Sequence, residues 1–126
     1  MIRKTRQRAA IREALETTGR PMSPDEVLAV AQTQVSGLGI ATVYRNIKAL
    51  VEEGWLVPVE LPGEPARYEL SGKDHHHHFH CRGCGRVFEL HGCVDHLAKL
   101  VPKGFLMTGH ELVLYGLCQN CQAARN

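Results

Sequence analysis

Two Cys-x-x-Cys pairs, Cys81 with Cys84 and Cys118 with Cys121, constrain this chain more than any other feature. Four thiolates at matching spacing are the ligand set of a closed, tetrahedral Zn²⁺ site. Gly83 and Gly85 suit a knuckle around the first pair, on the expectation that the turn needs positive φ. The 33 residues between the pairs exceed the usual zinc-ribbon spacing, so the second pair would tie the end of the chain back to a strand. The bland alternative is four unrelated thiols or a redox dithiol, and two pairs at one spacing weigh against it. Cys93 is left over and reads as a small buried side chain.

A histidine run leads directly into the first pair: His75, His76, His77 and His78, then Phe79, His80 and Cys81. On a strand, successive side chains face opposite sides. His76, His78 and His80 would share one face, and His75, His77 and Phe79 the other, so one strand can serve two metal sites. All 5 Cys and 8 His of the chain lie between His75 and Cys121. The odd Cys count, and a basic start (MIRKTRQRAA) with no apolar run behind it, argue against a secreted disulfide framework and a signal peptide. The expected compartment is the reducing cytoplasm. No apolar run approaches the ~20 residues that span a bilayer, so no membrane partner is expected.

With 44% apolar and 22% charged residues in 126, the composition is globular and excludes disorder over the whole length. It shifts sharply near Ser71, before which there is no Cys or His. Two small domains are expected, 1–71 and 75–126, joined by the polar turn Ser71 to Asp74. In the first, periodicity predicts a helix from Thr5 to Thr18, stopped by Gly19. A second starts with Ser23 as N-cap, Pro24 at the first position and Asp25 and Glu26 in the first turn, burying Val27, Leu28 and Ala31. A third runs from Ala41 to Glu53, with Val43, Ile47, Leu50 and Val51 inward and Gly54 as stop. Two short strands, 55–60 and 66–70, flank a Pro-Gly turn. In the second domain, strands at 75–81 and 87–90, a helix from Val94 to Val101 and a long strand from Phe105 to Leu117 are expected. That last strand would show Leu106, Thr108, His110, Leu112 and Leu114 on one face.

Three helices and a hairpin in about 70 residues make a winged helix-turn-helix, whose third helix would enter a DNA major groove. Its outward positions are Ala41, Tyr44, Arg45 and Lys48. Arg45 can pair bidentately with guanine, and Ala41 and Tyr44 can touch a thymine methyl. Thr42 and Lys48 suit phosphate. The net charge of +2 says little, but Arg3, Lys4, Arg6, Arg8 and Arg12 form a basic start without an acid, and phosphate is an obvious partner. A solvated basic face is the bland alternative for both features.

These residues together resemble the ferric uptake regulator (Fur) superfamily. The resemblance is carried by GIATVYRNIKALVEEGWL (39–56), RYEL (67–70), HHHHFHC (75–81), CRGCG (81–85), Glu89, HELVLYGLC (110–118) and the final Cys-x-x-Cys, and it covers nearly the whole chain. It implies an α+β protein, with an N-terminal winged helix-turn-helix followed by a small α/β dimerisation domain bearing a four-cysteine zinc site. It implies a dimeric, metal-activated repressor that binds double-stranded DNA at a palindromic, A·T-rich operator. Carried over residue by residue, Cys81, Cys84, Cys118 and Cys121 match the structural zinc site. Glu69, His76, His78 and Glu89 match the regulatory site between the domains. His75, His77, His96 and His110 match an additional site, and Tyr44 and Arg45 match the base-reading pair.

Two departures bear on the sensed metal. Iron and peroxide sensors carry a His just before helix two, where this chain has Gly19, Arg20, Pro21 and Met22. Zinc sensors often carry a Cys just after the strand of Glu69, where this chain has Ser71 and Gly72. An all-His set at the additional site is softer than the family's usual mixture with acids and suits Zn²⁺ better than Mn²⁺. The expected cofactors are therefore a structural Zn²⁺ and a second divalent metal, Zn²⁺ ahead of Fe²⁺ or Mn²⁺. The leading expectation is a metal-dependent repressor of metal-homeostasis genes, with no catalytic residues. A zinc storage or delivery module is the alternative. A zinc hydrolase is a weaker one, because a catalytic zinc needs an open position and a general base, nothing resembles HExxH, and the winged helix would have no purpose.

Overall fold

The computed structural model describes residues 2–94 and 96–125. The chain divides after Lys73 into two compact units.

The first unit is a winged helix. It contains α1 (Ile2–Thr18), α2 (Pro24–Ala31) and α3 (Ile40–Glu52), then a hairpin of β1 (Leu56–Val59) and β2 (Arg67–Leu70). Helix α1 buries Ala10, Ile11, Ala14 and Leu15, which fall on one helical face. Gly19, at φ 68°, ends it. Helix α2 starts in a capping box: Ser23 Oγ accepts from the Glu26 N–H at 3.2 Å, and Glu26 Oε1 accepts from the Ser23 N–H at 3.1 Å. Such reciprocal caps satisfy donors the helix leaves open and contribute about 1 kcal/mol. Helix α3 buries Val43, Ile47 and Leu50 against Met22, Val27, Leu38 and Leu56. In the hairpin Leu56 faces Leu70 and Val59 faces Arg67. A feature without a sequence signal is the backbone bridge of Met22 and Tyr68. Their N–H groups donate to each other's carbonyls at 3.0 and 2.9 Å, fastening the α1–α2 loop to β2.

In the second unit, β3 (His76–Cys81) is the middle strand of a sheet ordered β4-β3-β5. It runs antiparallel to β4 (Val87–His91) and parallel to β5 (Val113–Gly116). Helix α4 (Gln119–Ala123) follows, with Cys118 as its N-cap. Two expected elements are shorter than predicted. In place of a helix from Val94 to Val101 there is a 3₁₀ turn, Leu97–Leu100; Asp95, within that span, lies outside the described residues. His96 has φ 74°, a left-handed conformation no helix interior accepts, and Val94 and Leu100 are exposed, so no apolar stripe holds a helix down. The strand expected from Phe105 to Leu117 is confined to Val113–Gly116. Val113 pairs with His78 in parallel register, so chain before about His110 runs past the start of β3 and has no ladder to join.

Apolar burial is thin in this unit. Val87 and Cys81 are buried, whereas Leu100, Phe105 and Leu106 are 80%, 71% and 86% exposed. A unit this small needs staples or a partner surface beyond its own core.

Candidate metal centres and nucleic-acid interface

The four sulfurs of Cys81, Cys84, Cys118 and Cys121 lie within 4.8 Å of one another. Cys81 ends β3, Cys84 sits on the turn toward β4, and the other two open α4. Their convergence follows from the parallel pairing of β5, which sets Gly116 beside Cys81. Cys84 Sγ and Cys118 Sγ are 3.9 Å apart. That is close to the ~3.8 Å edge of a tetrahedron with Zn–S bonds of about 2.3 Å. The Cys81 sulfur accepts N–H bonds from Gly83 at 3.3 Å, Cys84 at 3.4 Å and Cys118 at 3.3 Å. The Cys84 and Cys118 amides, then that of Gly83, hold this thiol down at about 5 despite its burial. Cys121 is pushed up to about 12, first by the Cys81 sulfur and next by Cys118, because four crowded sulfurs cannot all ionise unaided. A dication removes that conflict by taking all four as thiolates. Donor chemistry, spacing and N–H support all fit zinc.

Gly83 is glycine for a reason other than the one expected. Its φ is not positive; positive φ belongs to Gly85, at 77°. At Gly83 a Cβ would lie 2.8 Å from Cys121 Sγ and 3.0 Å from Cys121 Cβ. The close approach of backbone to the second Cys pair is what excludes a side chain.

A second cluster lies on the opposite end of β3. His75, His77 and His110 come together, and the fourth member is Cys93. His110 Nε2 is 3.2 Å from His75 Nε2, 3.3 Å from His77 Nε2 and 3.0 Å from Cys93 Sγ, and His77 Nε2 is 3.3 Å from that sulfur. His96 does not join this group among the described residues: it caps the 3₁₀ turn, exposed, in its left-handed conformation. Cys93 is exposed rather than buried as expected. Gly92, at φ 101°, lies between the end of β4 and Cys93. The one sequence signal for Cys93 was its being left over from the two pairs. His77 is buried, and its pKa is lowered by that burial first and by His75 and His110 next.

On the other face of β3, the His76 and His78 rings meet edge to face with centroids 4.8 Å apart. Register sets Glu89 directly opposite His78, hence on that face. The Glu89 carboxylate does not form a ligand-spaced group with both imidazoles among the described residues. Glu69, on β2, is buried, with Lys73 Nζ 3.7 Å from its carboxylate. His80 is buried, its ring 5.8 Å from that of Tyr115.

The outward face of α3 presents Ala41, Tyr44, Arg45 and Lys48, all exposed. Arg45 Nη2 donates to Thr42 Oγ1 at 3.0 Å, which holds the guanidinium against its helix. Tyr44, Arg45 and Lys48 line one groove with Pro58 and Tyr68 of the hairpin. The basic start of α1 is divided in use. Arg8 Nη2 bonds Glu53 at 2.6 Å, and Arg12 stacks over Trp55 at 4.6 Å. Arg3, Lys4 and Arg6 remain exposed.

Comparison with known proteins gives a consistent picture. The model of the ferric uptake regulator family matches residues 1–115. A ferric uptake regulation protein of Campylobacter jejuni is 30% identical over 125 residues, covering 95% of this chain and 80% of that protein. The peroxide operon regulator of Bacillus subtilis is 30% identical over 129 residues, covering 99% and 88%. Among solved structures, a zinc-bound manganese uptake regulator superposes with a TM-score of 0.75 at 26% identity, covering 89% of this chain and 87% of that one.

Proposed function

Because this chain belongs to the ferric uptake regulator family, whose members are metal-dependent transcriptional regulators, we propose that it represses metal-homeostasis genes as a homodimer. The DNA is a palindromic, A·T-rich operator, whose symmetry mirrors that of a two-fold dimer. The observation that carries this reading is the exposed face of α3, where Thr42 orients Arg45 beside Tyr44 and Lys48. Arg45 and Tyr44 read bases, Ala41 packs on a thymine methyl, and Lys48 and Thr42 position phosphates. Arg3 and Lys4, left exposed on α1, add sequence-independent attraction. Dimerisation would cover the apolar side chains the second unit exposes, Leu100, Phe105 and Leu106 among them.

The ligands of the switch flank the link between the units in sequence. Glu69 ends the winged helix, and His76, His78 and Glu89 belong to the sheet that follows. A dication held by these four, with the Glu89 carboxylate moving in from its place opposite His78 to join the imidazoles, ties the units in one orientation, the one that sets two recognition helices at operator spacing. Gly72, at φ 82°, takes in the link a left-handed conformation that favours glycine. The Cys81, Cys84, Cys118 and Cys121 zinc is structural and keeps the sheet and α4 together. Zn²⁺ is the sensed metal ahead of Fe²⁺ or Mn²⁺: neither the His before α2 nor the zinc-sensor Cys after β2 is present, and a histidine-rich ligand set suits Zn²⁺ better than Mn²⁺. A hundredfold gain in operator affinity requires about 2.7 kcal/mol of coupling, and operator must tighten metal binding by the same factor.

The test is operator binding against free Zn²⁺, Fe²⁺ and Mn²⁺ for the parent and His78→Ala. The variant should stay a folded dimer with its structural zinc and lose the metal response. A parent-like response in His78→Ala, or metal affinity unchanged by operator, refutes the mechanism.

A further inference from the structure

At the additional site that the family resemblance implies for His75, His77 and His110, we propose that Cys93 is the fourth ligand, its thiolate taking the place expected for His96 and giving a set of three imidazoles and one thiolate in the second unit. Hydrogen-bond capacity argues against an empty cluster. A neutral imidazole carries one N–H and one lone pair, so each ring nitrogen either donates or accepts. His110 Nε2 nevertheless has three neighbours within 3.3 Å: His75 Nε2, His77 Nε2 and Cys93 Sγ. One nitrogen cannot satisfy all three contacts, whichever tautomer it takes. A shared cation in their midst satisfies every lone pair at once.

The distances suit such an ion. Bonds of about 2.0–2.1 Å to nitrogen and 2.3 Å to sulfur give tetrahedral edges of roughly 3.3–3.6 Å. The observed contacts, 3.0 to 3.3 Å, lie at or a few tenths of an ångström inside those edges, and no pair of the four ligand atoms exceeds 4.8 Å. The paired strands frame the set: His75 immediately precedes β3, His77 lies in it buried, and His110 lies shortly before β5.

The thiolate sets the metal class. Three neutral imidazoles and one thiolate carry a single negative charge on soft donors, which favours Zn²⁺ over Mn²⁺ or Mg²⁺. The site is distinct in its atoms from the four-Cys cluster and from the His76/His78 face. It concerns metal retention by the second unit and does not depend on operator binding.

The thiol itself reports occupancy, because Cys93 is exposed and a bound thiolate is a poor nucleophile toward an alkylating reagent. Iodoacetamide labelling of the full chain, read cysteine by cysteine by mass spectrometry, should show Cys93 slowed at least tenfold by saturating Zn²⁺ and unaffected by equal Mn²⁺. His75→Ala and His110→Ala should restore rapid labelling of Cys93. His96→Ala should not. Continued protection of Cys81, Cys84, Cys118 and Cys121 in the same maps shows that each variant is folded. Equal labelling of Cys93 with and without Zn²⁺ overturns the site. Protection that survives both His75→Ala and His110→Ala overturns the ligand set, and protection by Mn²⁺ equal to that by Zn²⁺ overturns the metal class.

Discussion

Replacing Gly83 by Ala tests the zinc knuckle most directly. The added Cβ would stand 2.8 Å from Cys121 Sγ and 3.0 Å from Cys121 Cβ, with Leu117 Cδ2 at 3.3 Å. Ordinary non-bonded contacts between carbons are about 3.5–4.0 Å, so the pair must separate by roughly 0.5 Å or more. Metal ligands tolerate only about 0.2 Å from their preferred bond lengths. The displacement therefore falls on the fourth zinc ligand or on the turn that carries Cys84. Overpacking of this size costs about 1–3 kcal/mol. Felt at the metal, it weakens zinc by about five- to 150-fold. Gly85→Ala is the control. It meets nothing within 4 Å but must hold φ 77°. Its cost, about 1–2 kcal/mol of backbone strain, should lower the melting temperature and leave zinc affinity nearly unchanged. Chelator competition for the tightly held zinc, beside thermal melts with and without it, separates the two. If Gly83→Ala keeps the parent's zinc affinity, or loses no more of it than Gly85→Ala, the close-approach argument is wrong.

Two further expectations follow from the winged helix. Arg45→Ala should cost about 1–3 kcal/mol on the specific operator and little on random DNA, whereas Lys4→Ala should weaken both alike and lower the salt slope by about one; salt-dependent binding isotherms decide. Burial pushes the Glu26 carboxyl up, but the Arg20 hydrogen bond at 2.7 Å, the Ser23 N–H and the charges of Arg20 and Arg67 outweigh it and hold it below 4.5. The folded state thus prefers the ionised form, and the stability Glu26 contributes is present above pH 4.5 and lost as pH falls through its folded value. Glu26→Gln should lower the melting temperature at neutral pH and flatten that acid limb, and an unchanged limb would show that another carboxylate sets it.

Local rules written in the chain determined much of this protein. The stop at Gly19, the Ser23 cap followed by Pro24, and the Val43, Ile47 and Leu50 stripe depend on neighbours a few residues away, and these elements match the expectation. The outward face of α3 follows from the same periodicity, since fixing which residues are buried fixes which are not. The four-Cys set was legible because its spacing is itself local. Contacts between distant segments were decided by tertiary structure. The Met22–Tyr68 bridge joins backbones with no side-chain signature. The brevity of β5 follows from where its parallel partner begins, which no pattern within 105–117 records. Gly83 is required by the approach of Cys121, 38 positions later, and not by its own turn. Cys93, not His96, meets His75, His77 and His110, while a left-handed backbone leaves His96 at the cap of an exposed 3₁₀ turn. Residue type announces which side chains can bind a metal, but only the closing of the sheet decides which of them meet.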